Sequence, residues 1–172
     1  MRAAIQETNA LAGTDTINFN ITSGCTPVCT ITPATSLPMI DGQVTINGYT
    51  QSGASPNTLA VGDNAVLLIE INGASAPGAA FIVNSANNTF KGLVINRFPG
   101  ASFNGGYAFR LLSAGNTIQG CFLGTNPAGD TASPNAAGGV SVEATSQPPS
   151  TPQRQQHHWR YDSGRPQRHC ER

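Results

Sequence analysis

The side chains that could carry out chemistry in this chain of 172 residues are few and widely spaced. Charged residues make up only 10% of the chain. The acids that precede residue 145 occur singly: Glu7, Asp15, Asp41, Asp63, Glu70, Asp130 and Glu143. Hydrolysis of a glycosidic bond needs two carboxyl groups about 5–10 Å apart, and Asp63 and Asp130 sit beside Gly, where turn chemistry explains them. The spacing therefore favours a non-catalytic chain, and no catalytic residue is predicted.

Cysteine and histidine usage limits the possible binding sites in the same way. Cys25 and Cys29 lie four residues apart in a loop that contains Pro27. They could form a disulfide in an oxidising compartment, or they could be free side chains packed in the fold. Residues 1–145 contain no His, so neither a metal site nor a cofactor is predicted. No apolar stretch approaches about 18 residues, so no membrane span is predicted.

The elements that must position these groups are indicated by an internal repeat. Residues 80–92 match residues 108–120 without a gap, at an offset of 28 residues. Self-similarity of this length, built from short apolar segments and Asn/Gly turns, is typical of stacked repeats. Asn88 would then lie beside Asn116, where side-chain amides can bond along the stack. Gly92 would lie beside Gly120, where the chain must bend.

The composition predicts that the repeat is built from β-strands. Short runs of β-branched and aromatic residues recur between Gly, Asn, Pro and Ser, and only residues 2–12 look helical. We predict an all-β fold, a right-handed parallel β-helix (a solenoid) over residues 14–145, with a β-sandwich as the alternative. Residues 1–13 would form a helix that caps its N-terminal end. The predicted core comprises Phe81, Val83, Phe90, Ile95, Phe109, Leu111, Ile118 and Leu123.

The last part of the chain follows a different pattern. Residues 146–172 are basic and hold every His and the single Trp, whereas residues 1–145 are acidic. Residues 155–172 can be encoded by codons that, when the reading frame is shifted by one nucleotide, translate to a sequence containing Asn-Asn-Thr-Ile-x-Gly. This shifted sequence resembles residues 87–92 and 115–120. We therefore expect residues 146–172 to be a disordered, out-of-frame tail. A genuine basic tail rich in Pro and Gln is the alternative.

Two N-terminal stretches resemble a known family. Residues 2–10 (Arg-Ala-Ala-Ile-Gln-Glu-Thr-Asn-Ala) and 13–21 (Gly-Thr-Asp-Thr-Ile-Asn-Phe-Asn-Ile) resemble the second half of the bacterial CSLREA-type domain. Residues 44–51, 92–98 and 118–126 resemble the right-handed parallel β-helix proteins that carry this domain. The resemblance covers about residues 2–143. Met1 falls inside the motif, so we expect a fragment without the N-terminal part and its export signal.

The resemblance implies a secreted or cell-surface bacterial protein. The expected function is a non-catalytic structural or adhesive one, with a fragment of a polysaccharide-degrading enzyme (lyase or glycosidase) as the alternative. The expected partners are cell-surface glycans or other surface proteins, together with self-association through exposed ends of the stack. Nucleic acid is excluded as a partner because residues 1–145 are acidic and their aromatic residues are mostly Phe of the core type.

Overall fold

The computed structural model describes residues 1–100 and 105–143. Helix α1 spans Arg2–Ala10, and a short 3-10 turn spans Gly48–Thr50. The strands are β1 (Thr14–Asn18), β2 (Cys29–Ile31), β3 (Gln43–Asn47), β4 (Ile69–Asn72), β5 (Phe81–Val83), β6 (Thr89–Lys91), β7 (Leu93–Asn96), β8 (Tyr107–Leu111), β9 (Thr117–Gln119), β10 (Phe122–Leu123) and β11 (Gly138–Val142). The prediction of an out-of-frame tail at residues 146–172 falls outside the described residues.

The strands pair in three parallel sheets. Sheet A has the order β1-β3-β6-β9, sheet B has the order β10-β7-β4-β2, and sheet C has the order β11-β8-β5. Within sheets A and C the repeat is paired residue for residue: Phe81 lies opposite Phe109, and Phe90 lies opposite Ile118. The inner strands of sheet A, β3 and β6, alternate between buried apolar and partly exposed polar residues, as expected for a sheet with one face in the core.

The predicted fold class, one all-β solenoid of right-handed parallel β-helix type, is wrong. The strands form three short, separate parallel sheets, accompanied by one helix, and they do not close into one solenoid sheet. This combination of short parallel strands with a helix is closer to an α/β-like arrangement. The offset between paired strands also varies along the chain: Val94 pairs with Phe122 across 28 residues, but Thr45 pairs with Thr89 across 44 and Ile71 with Ile95 across 24.

The core lies between the sheets and is centred on three aromatic rings. The rings of Phe81, Phe90 and Phe109 are fully buried, with centroids 4.9–5.5 Å apart. Six of the predicted core residues are buried, whereas Ile118 and Leu123 are only partly buried and pack at its margin. Those two predictions are wrong because β9 and β10 are the outermost described strands of their sheets, with a neighbouring strand on one side only.

Helix α1 packs beside the first strand of sheet A. Ile5 is fully buried in the same core as the strands, and the helix contacts β1 and β3. Arg2 extends from its first turn to the backbone oxygens of Thr35 and Ser36, at 3.1 and 2.6 Å. The helix ends at Ala10, where the chain turns extended at Leu11. The N-terminal segment is therefore held by both an apolar anchor and hydrogen bonds.

Candidate functional site

The two asparagines selected from the repeat are in direct contact. The Asn88 side-chain Nδ2 donates to Asn116 Oδ1 at 2.9 Å, and the Asn88 backbone N–H donates to the same oxygen at 2.9 Å. On its other side, Asn88 Oδ1 accepts from the Val44 backbone N–H at 2.7 Å. Asn88 is fully buried. Each amide therefore satisfies backbone groups of the neighbouring segment that would otherwise be buried without a partner.

The asparagine contacts depend on residues that the sequence analysis did not assign. Asn88 Nδ2 also donates to the Ser85 carbonyl at 2.7 Å, and Asn116 Nδ2 donates to the Ser113 carbonyl at 2.9 Å. One segment earlier Thr45 pairs with Thr89, so Val44 stands beside Asn88, and Asn9 of helix α1 accepts from the Asp41 and Gly42 N–H groups of that segment. The recurrence of Ser three residues before Asn was the available signal for the serines.

The two predicted bend glycines lie beneath one tyrosine. Gly92 and Gly120 have φ values of +70° and +56°, a region that favours glycine. A Cβ on Gly92 would lie 2.8 Å from Tyr49 Cγ, and the Tyr49 hydroxyl donates to the Gly120 carbonyl at 3.0 Å. Gly48 precedes them in the same row, since Asn47 pairs with Lys91 and Lys91 with Gln119. Burial raises the pKa of Tyr49, which keeps the hydroxyl a donor.

Glu70 is a buried acidic residue, and its carboxylate accepts hydrogen bonds from side chains of neighbouring strands. Its Oε2 accepts from the Thr30 hydroxyl at 2.6 Å, and its Oε1 accepts from Asn96 Nδ2 at 2.8 Å. Arg97, which is half-exposed, lies 3.6 Å from Oε1. Asn96 is fully buried, and its Nδ2 also donates to the Thr125 carbonyl at 2.9 Å. The cluster thus ties strands β2, β4 and β7 to the loop after β10.

Three other acids occupy turns and loops. Asp41 Oδ1 accepts from Asn84 Nδ2 at 2.8 Å, and Asp63 Oδ1 accepts from the Ala65 N–H at 2.7 Å. Asp130 accepts from Asn126 Nδ2 at 2.9 Å and from the Thr131 hydroxyl, and these bonds lower the pKa of Asp130. Asp63 and Asp130 therefore hold local turns, as the turn chemistry around them predicts, whereas Asp41 joins two segments that are 43 residues apart.

Arg110 and Glu143 form an ion pair at the end of sheet C. Arg110 is buried, and its guanidinium donates to both carboxylate oxygens of Glu143, at 2.8 and 2.6 Å. The bidentate geometry is the strong form of this pair. The hydrogen bonds from Arg110 hold the pKa of Glu143 below its ordinary value.

This pair predicts a dependence of stability on acid. The folded-state pKa of Glu143 lies below the unfolded value of about 4.3. The contribution of the ion pair to the free energy of unfolding is therefore complete above that pH and is lost as pH falls through the folded pKa. Below about pH 4.3, the free energy of unfolding of the Glu143→Gln variant should therefore fall less steeply with decreasing pH than that of the wild type. Urea unfolding of both proteins between pH 7 and pH 3 measures this. An equally steep fall in the free energy of unfolding of both proteins at acid pH would contradict the pairing.

Glu7 and Asp15 line one cavity between helix α1 and strand β1. The cavity is about 290 Å³ in volume, and Thr16 and Asn18 line it as well. Asp15 Oδ2 is buried and has no hydrogen-bond partner among the described residues. Two acidic residues thus line one cavity, and their spacing in the sequence did not predict it.

Cys25 and Cys29 are joined by a disulfide, with their Cα atoms 4.3 Å apart. The enclosed loop presents Pro27 and Val28 to a groove of about 470 Å³, whose opposite walls include Leu68 and Pro127. Cys121 is a free thiol beside the Gly120 bend, and burial raises its pKa, so it is a poor nucleophile at neutral pH.

The disulfide predicts a specific labelling pattern. In denaturant without reductant, iodoacetamide should leave Cys25 and Cys29 unmodified and should alkylate Cys121. After reduction, all three should be alkylated, as judged by peptide mass spectrometry. In the chain-entropy description a loop this short contributes about 2 kcal/mol, so reduction should lower the melting temperature. Alkylation of Cys25 before reduction would contradict the bond.

The outer face of sheet A is defined here by two rows of side chains. In the first row Thr16, Thr45, Thr89 and Thr117 are register partners across four strands. The second row, two residues further along each strand, consists of Asn18, Asn47, Lys91 and Gln119. These residues are exposed on the outermost strands and partly exposed on the inner strands. The face is therefore rich in hydroxyl and amide groups, and Lys91 is its one charged member.

No family model, curated protein or solved structure matches this chain. In the described residues no helix is long and apolar enough to cross a membrane. Over the same residues, no group of three or more His, Cys, Asp and Glu side chains is placed to hold a metal ion.

Proposed function

We propose that this chain is a non-catalytic structural or adhesive module of an exported bacterial protein, of the kind that carries the CSLREA-type domain. The observation that carries the proposal is the use of the acids. Glu70 and Glu143 are bound to side chains of neighbouring strands, while Asp130 is bound within its own turn. Carboxylates committed to such bonds stabilise a scaffold and are not available as an acid and base pair.

Two further features support this assignment. The disulfide between Cys25 and Cys29 fits a protein that functions in an oxidising compartment, at the cell surface or after secretion. The asparagine contacts from Asn9 to Asn116 tie neighbouring segments together. The outer face of sheet A is at least partly open to solvent. A cross-linked support with an open polar face is what a displaying or adhesive module requires.

The experiment separates binding from turnover. The purified chain is incubated with uronate polysaccharides and calcium, and absorbance at 235 nm reports unsaturated product. Reducing ends are measured for neutral polysaccharides, and binding of the labelled chain to bacterial cells is measured in parallel. We expect cell binding without product in either assay. Product formation above a heat-denatured control would overturn the proposal.

The alternative, a polysaccharide-degrading enzyme, is favoured by the cavity that Glu7 and Asp15 share. A carboxyl pair flanking a bound sugar is the machinery of glycosidases. If product does form, Glu7→Gln and Asp15→Asn should each abolish it, because the isosteric amides keep the shape and remove the titrating group. Glu143 does not line the cavity, so Glu143→Gln is the matched control and should retain activity.

A further inference from the structure

We propose that this chain forms a two-fold dimer in which an apolar arm of each copy lies in an apolar groove of the other. The arm comprises residues 56–64, all of which are exposed. The groove is the one of about 470 Å³ beside the loop that the disulfide closes. The inference goes beyond the proposed function and does not depend on it, because neither the arm nor the groove carries the arguments made there.

The arm is held in a fixed shape by its own hydrogen bonds. Its base is closed where the backbones of Ser55 and Val66 exchange hydrogen bonds at 3.0 and 2.9 Å. Within the arm, Asn57 Oδ1 accepts from the Leu59 N–H at 3.0 Å, and Asn57 Nδ2 donates to the Gly62 carbonyl at 3.0 Å. A segment that is ordered before it binds loses less conformational entropy on binding.

The tip of the arm presents apolar side chains to solvent. Val61 is 90% exposed, the largest fraction among the exposed large apolar side chains of the described residues, and Leu59 is 49% exposed. Asp63, the one charged residue of the arm, accepts from the Ala65 N–H at 2.7 Å and so lies back towards the base. The arm therefore carries an uncharged apolar tip that its own fold leaves uncovered.

The groove offers a surface of the same chemistry. Its lining includes no charged side chain and a single amide, that of Asn126. Val28 lies on the disulfide loop, Val66 and Leu68 lie on the segment that follows the arm, and Pro127 lies on the loop after β10. Val66 is 42% exposed, so part of the apolar wall is still open to solvent. Removal of such surface from water is what favours association.

The positions of the arm and the groove favour a second copy of this chain as the occupant. Ala65 lines the groove, and it follows Val61 by four residues, a span of at most about 14 Å. Val61 is nevertheless exposed, so the arm does not fill the groove of its own chain. Because the arm and the groove are neighbours, one two-fold axis allows each copy to give an arm and to receive one.

The extent of the two surfaces is close to what a stable dimer needs. The arm has nine residues, and nine others line the groove. Each copy would thus contribute about 18 residues, near the about 20–30 residues per side of a standard interface.

The experiment is sedimentation velocity of the full chain from about 1 μM to about 1 mM, the range in which weak dimers dissociate. Val61→Asp places a carboxylate at the tip, where dimerisation would bury it in an apolar groove. Val142→Asp is the matched control, because Val142 is also a well-exposed valine (73%) but lies on β11, outside the arm and the groove. Melting temperatures in dilute solution establish that both variants are folded.

We expect the wild-type chain to dimerise, Val61→Asp to raise the dissociation constant at least about tenfold, and Val142→Asp to leave it unchanged. A photoreactive phenylalanine at position 61, in a mixture of isotope-labelled and unlabelled chains, should form cross-links between copies to Val28 or Pro127.

A wild-type chain that stays monomeric over the whole range overturns the inference and leaves the groove to a different partner. A dimer that Val61→Asp does not weaken also overturns it, and weakening by Val142→Asp instead would indicate association through the end of sheet C. Cross-links from position 61 that stay within one copy overturn it as well.

Discussion

Replacement of Phe90 by Ala should lower the free energy of unfolding by about 3–5 kcal/mol. Phe90 is fully buried, and its ring lies 5.5 Å from that of Phe81 and 4.9 Å from that of Phe109. The substitution removes the transfer free energy of the ring and leaves a cavity between two sheets. It also removes two aromatic contacts that each contribute about 0.5–1.5 kcal/mol beyond the area that they bury.

The matched comparison is Ile118→Ala. Ile118 is the register partner of Phe90 in the next strand of sheet A, but it is only partly buried. Its truncation should therefore cost clearly less than about 2 kcal/mol, the lower end of the range for fully buried aliphatic side chains. Urea denaturation followed by circular dichroism measures both values. Equal losses for the two variants would contradict the placement of the core centre at Phe90.

Replacement of Asn88 by Asp should destabilise the protein by about 3–5 kcal/mol at neutral pH, the usual cost of an uncompensated buried charge. The new carboxylate would keep the bond from the Val44 N–H. Its second oxygen would face the Ser85 carbonyl and Asn116 Oδ1, which are both acceptors, where Asn88 Nδ2 now donates. Burial and these acceptors would raise its folded-state pKa above the unfolded value of about 3.9.

This raised pKa makes the penalty depend on pH in a defined direction. Below about pH 3.9 the introduced carboxyl is protonated in both states and can donate, so the variant should approach the wild-type stability. The penalty grows as pH rises through the folded pKa. Asn116→Asp is the control: Asn116 is half-buried, and its Oδ1 already accepts both bonds from Asn88. A penalty at position 88 independent of pH, or equal penalties at both positions, would contradict the geometry.

Local pattern was sufficient to identify which residues of the repeat lie next to each other. The match of residues 80–92 with 108–120 specifies that Asn88 faces Asn116 and that Phe90 pairs with Ile118. Strand pairing preserves such an offset, because a slip of one residue would turn Phe90 out of the core. The same pattern could not reveal Asn9, because its role depends on a helix packing beside a segment that contains no corresponding Asn.

The overall architecture was decided by the lengths between the strands. The prediction of a β-helix rested on the assumption that the 28-residue period of the repeat continues along the chain. The segment between β3 and β4 is, however, much longer than the corresponding segment between β6 and β7. The strands consequently gather into three short parallel sheets with a helix, not into one solenoid sheet. Burial of Ile118 was likewise overestimated, because the pattern of residues reports which face points inward and not how many neighbours cover it.

By itself the sequence determined that the chain is built mainly from short strands, which residues of the repeat are in contact, the low charge and the absence of His from residues 1–145. Only the tertiary structure decided that Tyr49 covers Gly92 and Gly120, that Glu7 and Asp15 share a cavity, and that four threonines align in one row. These relations join residues from 8 positions apart (Glu7 and Asp15) to 101 positions apart (Thr16 and Thr117). They arise from the packing of whole segments, which no local pattern of residues encodes.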